Sequence, residues 1–519
     1  MSTGYYSLLV DWDNDGDFMD AGEDVTTRTL LPLEYFRGRD YASQLTGRSR
    51  AGWLTATLNN ESGDYSPFNG ASPLAGTLLP GRRVQLQGGR EAFPYTFPIA
   101  FANAPLWTGY VDSISPMKTA PGEVKKAILK AVGPLGYLNQ RKLAIPMTTS
   151  VTTGTAIGNI LDEAGWGADR TLDAGQTTMD RFWVSRQNTI SALRLVEESE
   201  AGFILEGADG QIVYEDRHHR LGSPHLTSQA TFSDAPGATL VYQAIQEEDP
   251  LPNIFNIFTA SIQDYTVGAL AVLWTLSESG ASSPKVERAG GTRTWLASYP
   301  TPDSGTDAVA VDAWTTPAMT TDYLANSAAD GSGTNLSSDI AVAVTKTSST
   351  MKITLTNNNA TVDAFMTKLQ ARGTPVTEDN PVRVEAEDST SKSTYGERDY
   401  PNPAKFLPDT DEGQDWCRFQ LAVYKDPLPL LAIRVNGNRD DNHLVEVLAR
   451  DISDRITVVG QNAAGLSINE DFYIESVRGR IDQGGLLHEA TYELSQATAA
   501  SDWLVLGTST LGTSTRLAY

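Results

Sequence analysis

The residues best placed for chemistry lie near the start of the chain, in VDWDNDGDFMDAGEDV, where Asp11, Asp13 and Asp15 precede Gly16. This D-x-D-x-D-G spacing is that of calcium loops, in which alternate carboxylates wrap a hard cation and a glycine permits the sharp turn between them. Asp17 and Glu23 complete the candidate ligand set. Counted from Asp11, the twelfth position is Gly22 rather than a bidentate acid, with Glu23 one residue later and Asp20 two earlier. Two readings stand: a calcium site, or a solvated acidic turn linking a strand to the next element.

No catalytic constellation assembles elsewhere. His218, His219, His225, His443 and His488 show no H-E-x-x-H spacing, and the pair in EDRHHR ends a predicted strand, where a surface position explains it. Glu197-Glu198, Glu247-Glu248 and Asp440-Asp441 offer paired acids, but a glycosidase dyad needs spatial rather than sequential separation. A G-x-S-x-G elbow, a Walker A loop and a Rossmann fingerprint are all missing, and the glycine runs GTLLPGRR and GSG lack the helix that would hold phosphate. The expectation is a protein that is not an enzyme. The single cysteine, Cys417, excludes an internal disulfide and a cysteine zinc cage, and reads as a small buried apolar residue.

The elements that must position these residues are mostly strands. Leu54, Ala56 and Leu58 alternate with Trp53, Thr55 and Thr57, and Val84-Gln85-Leu86 and Phe472-Tyr473-Ile474-Glu475 behave likewise, one face buried and the other wet. Gly and Pro interrupt the runs at short intervals, as in LLPGRR and GPLGYL, which suits barrels or sandwiches. Helical period is clear twice. Thr152 or Thr153 caps a stripe of Ala156, Ile157, Ile160, Leu161 and Ala164 that stops at Gly165; Asn188 or Thr189 precedes Ile190, Leu193, Val196 and Glu197, followed near Gly202 by a hairpin turning at Asp209-Gly210. Strand signals resume at 418–435, 443–459 and 471–497. Between 264 and 383 the composition turns to Ser, Thr, Ala, Gly and Asn; the alternation Met351 to Thr356 and the tryptophans Trp274, Trp295 and Trp314 favour a folded β-sandwich over disorder.

Composition bounds the function. A chain of 519 residues exceeds one hydrophobic core, so several domains are expected. Lys+Arg 40 against Asp+Glu 64 gives a formal charge of −24, which repels phosphate backbones and argues against sequence-specific DNA binding while suiting the wall of a DNA conduit. No run of about 18 apolar residues is present to span a bilayer, and the N-terminus shows no secretory signal.

A family resemblance runs along nearly the whole chain. RGRDYASQLTGRSRAGWLTATLNNESGDYSPFN, SPLAGTLLPGRRVQL and LWTGYVDSI resemble the first barrel of tail-tip hub proteins (baseplate hub, minor tail proteins) of long-tailed bacteriophages and prophages; AIGNILDEAGW, TTMDRFW and ALRLVEESEAGFILEGADGQIVYEDRHHR resemble their second domain, and TFSD opens the second barrel. KSTYGERDYPNP, LAVYKDPLP, ISDRITV, DFYIESVRGRIDQGGLLHEATYELS and STRLAY continue it in the same order. The resemblance implies a mainly β, multidomain chain with a small α+β domain, two tail-tube-like β-barrels and an inserted β-sandwich. It sets an N-terminal strand with the Asp-rich loop at 1–24, the first hub barrel at 25–138, the α+β domain at 139–227, the second barrel at 228–263 and 384–500, the insert at 264–383 and a C-terminal tail at 501–519. It further implies a homotrimer at the distal end of the tail, assembled in the host cytoplasm, meeting the distal tail ring, tail tube or tape measure and receptor-binding proteins, with DNA only as transiting cargo during genome ejection. Arg37, Arg39, Arg48 and Arg50 then fall at a subunit contact paired with acids, or on a solvated basic loop. The alternatives are a distal tail ring protein, a receptor-binding adhesin whose Trp274, Trp295 and Trp314 stack on carbohydrate, or a cell-wall hydrolase.

Overall fold

The computed structural model describes residues 4–39, 48–90, 103–117, 120, 124–167, 169–248, 253–300, 308–402, 406–460 and 467–497. The expected tail 501–519 lies outside them. Strands make up 48% of the structure and helices 17%, so the chain is mainly β. It is multidomain: the buried apolar residues fall into four separate clusters.

The largest cluster lies on a twelve-stranded sheet that draws from both ends of the chain. Its main path runs Gly4–Val10, Arg83–Arg90, Ala104–Met117, Lys126–Val132, Ser49–Asn59, Thr29–Arg39, then Ile468–Asp482, Leu487–Gln496, Leu430–Asn436 and Ala244–Glu248. Arg455–Gly460 joins Ile468–Asp482, and Ala230–Ser233 joins it in turn. The alternation read from the sequence is realised: Leu54, Ala56 and Leu58 are fully buried and Trp53, Thr55 and Thr57 half-buried, so one face of Ser49–Asn59 packs while the other is partly wet. Pairing among the described residues closes no ring.

The two halves meet where Thr29–Arg39 pairs antiparallel with Ile468–Asp482, from Leu33↔Ile481 to Gly38↔Ser476. Gly38 has φ +128, and a Cβ there would stand 2.5 Å from Ser476 Cα, so only glycine lets the backbones approach this closely. Phe472-Tyr473-Ile474-Glu475 is buried on both sides, against the one-wet-face expectation. The second face is covered by the segment after the small hairpin, whose Arg220 carbonyl accepts the Tyr473 hydroxyl at 3.2 Å.

The small α+β region follows its caps. The Thr152 hydroxyl accepts Thr155 N–H at the start of helix Thr153–Glu163, which buries Ala156, Ile157, Ile160 and Leu161; Asn188 accepts the N–H groups of Ile190 and Ser191 ahead of helix Thr189–Glu200. Hairpin Phe203–Glu206 and Ile212–Glu215 turns through Gly210 at φ +88. Within 264–383, the long strand Ala364–Glu378 collects five partners, and a three-stranded sheet, Thr292–Ser298, Thr350–Asn357 and Ile340–Lys346, shares its core through Met351, Ile353, Leu355, Met366 and Leu369.

Of the segments 228–263 and 384–500, most strands enter the large sheet, but Ile257–Ile262, Val382–Glu387 and Asp399–Asn402 form a separate three-stranded sheet under helix Thr410–Tyr424, where Cys417 is buried as expected of a small apolar residue. The strand signals at 418–435 and 443–459 are realised in their later parts as Leu430–Asn436 and Arg455–Gly460, while helices Thr410–Tyr424 and Asp441–Ala449 correct their earlier parts. Each opens on an aspartate cap, Asp409 accepting Glu412 N–H and Asp440 accepting His443 N–H. Replacing fully buried Phe472 by Ala is expected to cost about 3–5 kcal/mol in urea denaturation, whereas Leu296→Ala, exposed on the insert, changes stability by under about 0.5 kcal/mol.

Candidate functional site

The Asp-rich loop leaves the end strand Gly4–Val10 and returns to it, with Val10 N–H on the Glu23 carbonyl and Val25 N–H on the Leu8 carbonyl. Buried Trp12 anchors it, its indole N–H donating to the Gly22 carbonyl at 3.1 Å. Asn14, Gly16 and Gly22 take positive φ, which winds the chain tightly enough for its carboxylates to accept its own N–H groups. Asp11 accepts from Asn14 at 2.5 Å and Gly16 at 3.2 Å, Asp15 from Asp17 at 3.0 Å and Asp17 from Met19 at 2.8 Å. Buried Glu23 accepts from Trp12 at 3.1 Å and Asp20 at 3.0 Å. Two overlapping groups result, Asp11, Asp13 and Asp15, and Asp13, Asp20 and Glu23, each with one oxygen per residue within 4.8 Å of the others. Asp17 belongs to neither, and Asp20 takes its place. A hydrogen bond that the protonated Asp20 carboxyl donates to Asp13, with the charges of Asp13, Asp15 and Asp17, pushes the Asp20 carboxyl above its ordinary value.

A second polar constellation, invisible in the sequence, sits at the meeting of the sheet halves. Glu475 is 2% exposed and receives Arg39 at 2.9 Å, Arg220 at 2.6 and 3.0 Å, and the Ser495 hydroxyl at 2.5 Å. The guanidinium carbons of Arg39 and Arg220 also lie over the Phe203 ring, 3.6 and 4.9 Å from its centroid. Arg220 continues to Ser453, whose hydroxyl donates to Glu215 at 2.5 Å. Beside it Arg37 pairs with Asp451, and Arg217 joins Glu200 at 3.2 Å to Glu412 at 3.0 Å. Arg37 and Arg39 are buried rather than on a solvated loop, and each finds an acid inside this chain, while exposed Arg48 pairs with Glu198.

Glu206 is another buried acid. Its carboxylate accepts Gly52 N–H at 2.6 Å and Leu135 N–H at 2.7 Å, and a Cβ on Gly52 or Gly133 would collide with it. Burial drives its carboxyl up, the two N–H groups and the charges of Arg194 and Arg37 pull it back, and the balance is about 7. For Glu475 burial also pushes upward, but Arg220 and Arg39 outweigh it and hold the carboxyl well below the ordinary range.

No family model matches the sequence, and no curated protein matches it in sequence. Solved structures match in shape. The tail protein from Neisseria meningitidis MC58 superposes with a TM-score of 0.50 at 9% identity, covering 96% of this chain and 98% of its own. This chain has a tail-protein fold. The 43 kDa tail protein of prophage MuSo2 from Shewanella oneidensis gives 0.46 at 11% identity over 96% and 99%, and prophage tail protein gp18 from Listeria monocytogenes EGD-e 0.42 at 8% over 96% and 96%.

Within this tail-protein fold several of the other residues singled out by type have local structural partners. His219 bridges Asp173 at 2.8 Å and Glu215 at 3.6 Å rather than lying free at the surface, and His443 is set between Asp440 and the backbone of Val241. Burial lowers the His488 imidazole to about 4, so it is neutral at physiological pH. Glu197 pairs with Arg194 at 2.5 Å and accepts Ile204 N–H, while Asp440 caps a helix. Trp314 is buried, its N–H on the Thr347 carbonyl at 2.8 Å; Trp274 and Trp295 are half-buried against the insert's core.

Removing one side of the central triad by Glu475→Ala is expected to cost about 3–5 kcal/mol of unfolding free energy, because two arginines stay buried unpaired. The two buried acids act in opposite pH windows. Glu475, depressed in the fold, contributes stability above its unfolded value that is lost as pH falls through the folded one; Glu206, raised, contributes stability below about 4.5 that is lost as pH climbs to about 7. Glu206→Gln should flatten unfolding free energy between about pH 5 and 7 in urea titrations at each pH, while the parent falls.

Proposed function

We propose that this chain is a structural, non-enzymatic protein of a phage-type tail tip, a homotrimeric hub that joins the tail tube to the host-recognition apparatus and surrounds the DNA exit channel. The observation that carries this reading is the tail-protein fold spanning 96% of the chain. The two halves of the large sheet are the candidates for two tail-tube-like barrels per subunit, which three copies would arrange in a pseudo-sixfold ring around the channel. The sheet ends in the strands Gly4–Val10 and Ala244–Glu248, and strands in that position need cover that a neighbouring subunit supplies. The insert is read as a β-sandwich carried outside this frame. A net charge of −24 suits a channel wall, since it offers passing DNA no electrostatic hold. In the virion its partners would be the distal tail ring, the tail tube or tape measure and receptor-binding proteins.

The decisive measurement is the symmetry of the chain's density in electron cryo-microscopy of assembled particles or of the recombinant oligomer. Threefold density with two similar barrels per subunit is expected; sixfold density would assign a distal ring, and a monomer would return the adhesin and hydrolase readings. Clearing of host peptidoglycan in a zymogram would overturn the non-enzymatic assignment.

The Asp-rich loop is assigned to calcium on the convergence of Asp11, Asp13, Asp15, Asp20 and Glu23, whose mutual repulsion a divalent cation would relieve. Calcium at about 100 times its dissociation constant then stabilises the fold by about 2.7 kcal/mol, so chelation lowers the melting temperature and replacing Asp11, Asp13 and Asp15 by Asn removes the response. An unchanged melting temperature on chelation identifies a plain acidic turn.

A further inference from the structure

The second half of the large sheet grips the first at two places. One is the pairing of Thr29–Arg39 with Ile468–Asp482. The other lies at the far end of the first half, where helix Asp441–Ala449 and the turn Gln483–Gly485 press on strands Gly4–Val10 and Arg83–Arg90. Leu444 and Leu448 of that helix sit against Gly4 and Gly88, where added Cβ atoms would stand 3.2 and 2.6 Å from them, and Gly485 sits against the Tyr6 ring. Inside this second grip is His488, at the start of strand Leu487–Gln496. It is 1% exposed, and its Nε2 would lie 3.4 Å from a Cβ on Gly4. Neither ring nitrogen completes a hydrogen bond among the described residues. Asn438 accepts the His488 N–H at 2.5 Å but leaves its own Nδ2 buried without a partner.

An imidazole so placed tolerates one charge state. The neutral ring fits an apolar contact, whereas an imidazolium there would be a buried charge without a counter-ion. The acids on the surrounding elements are engaged elsewhere: Glu446 with Arg450 at 2.9 Å, Asp482 with Arg480 at 2.6 Å and Glu489 with Arg434 at 3.8 Å. Asp441 stands in the first turn of its helix, and His443 pairs with Asp440 at 2.7 Å. Tyr5, Tyr6 and Arg439 carry no negative charge at acid pH. Burial therefore dominates and lowers the His488 imidazole to about 4, against a smaller pull from the Gly485 backbone, which lies close by without hydrogen-bond geometry. The ordinary value is 6.5, so the stability contributed by the neutral ring is complete above that value and is lost as pH falls toward about 4.

We propose that this second grip is an acid-sensitive clasp: protonation of His488 frees the end strand Gly4–Val10 from helix Asp441–Ala449 and the turn Gln483–Gly485, while the pairing at Thr29–Arg39 keeps the halves joined. The Asp-rich loop leaves from this strand and returns to it, so the loop is released with it. The clasp goes beyond the hub assignment and does not rest on it; the symmetry measurement decides the hub and is silent on His488. Its sense is opposite to that of Glu206, whose contribution grows as pH falls from about 7, so a local loss of structure at acid pH is distinguishable from a general change in stability.

The test is hydrogen–deuterium exchange of the full-length protein at about pH 7.5 and about pH 5, read by mass spectrometry peptide by peptide and corrected for the intrinsic pH dependence of amide exchange. Protection of Gly4–Val10 is expected to fall on the order of ten- to hundredfold at the lower pH, the ratio that a drop from 6.5 to about 4 allows, while that of Thr29–Arg39 stays within about twofold. His488→Leu, apolar and unable to titrate, should keep Gly4–Val10 equally protected at both pH values. If circular dichroism shows that this variant does not fold at neutral pH, His488→Gln, polar but equally unable to titrate, takes its place. Unchanged protection of Gly4–Val10 in the parent protein overturns the proposal whatever the variants do. An equal loss in the non-titrating variant, or an equal loss along Thr29–Arg39, overturns it as well.

Discussion

Two arginines, one near the start of the chain and one in its middle, converge on a single buried carboxylate near its end. Arg39, Arg220 and Glu475 belong to three distant stretches of sequence, and burying any one of them without its partners is costly. A buried ion pair of this kind adds little net stability over a well-packed apolar alternative, but it penalises every arrangement in which one member is missing. Its effect is therefore on correctness: the observed register, Gly38 against Ser476, places Glu475 beside Arg39 and under the small α+β region that delivers Arg220, and an arrangement lacking any of the three strands a buried charge. Gly38 supplies the backbone half of the same constraint, since any side chain there would hold the strands apart.

That dependence explains what the sequence disclosed. Period-2 alternation identified Ser49–Asn59 with Leu54, Ala56 and Leu58 inward, and cap residues located the helices behind Thr152 and Asn188, because these signals are written within one element. Helices Thr410–Tyr424 and Asp441–Ala449 were equally marked by Asp409 and Asp440, but runs such as Leu444 to Leu448 are apolar enough to pass for strand. The burial of Tyr473 and Glu475 was not legible at all. A strand residue facing a second covered layer looks, in its own neighbourhood, like one facing water, and the residue that decides the matter stands 255 positions away.

The candidate sites divide in the same way. The Asp-rich loop is local, so spacing revealed Asp11, Asp13 and Asp15 together, and only the exchange of Asp17 for Asp20 depended on how the chain winds. Arg37 and Arg39 were noticed for their charge but could not be matched to Asp451 and Glu475. Glu206 carried no signal beyond being one acid among many; what distinguishes it is a nest made by Gly52 and Gly133, two glycines from different elements.

The insert enters and leaves through neighbouring positions. Tyr265–Val267 pairs with Glu378 back to Val376, and the stem is tied off by Thr266 on Asp379 at 2.7 Å; most of the core beyond it is the insert's own, but Ala310 and Val376 are buried with the α+β region and Ser348 donates to the Val184 carbonyl. Entry and exit that lie side by side let the framework tolerate exchange of what is strung between them wherever those contacts with the α+β region are kept. A recombination event with both crossovers in this stem would therefore swap the whole cassette in one step and leave the Arg39, Arg220 and Glu475 junction untouched.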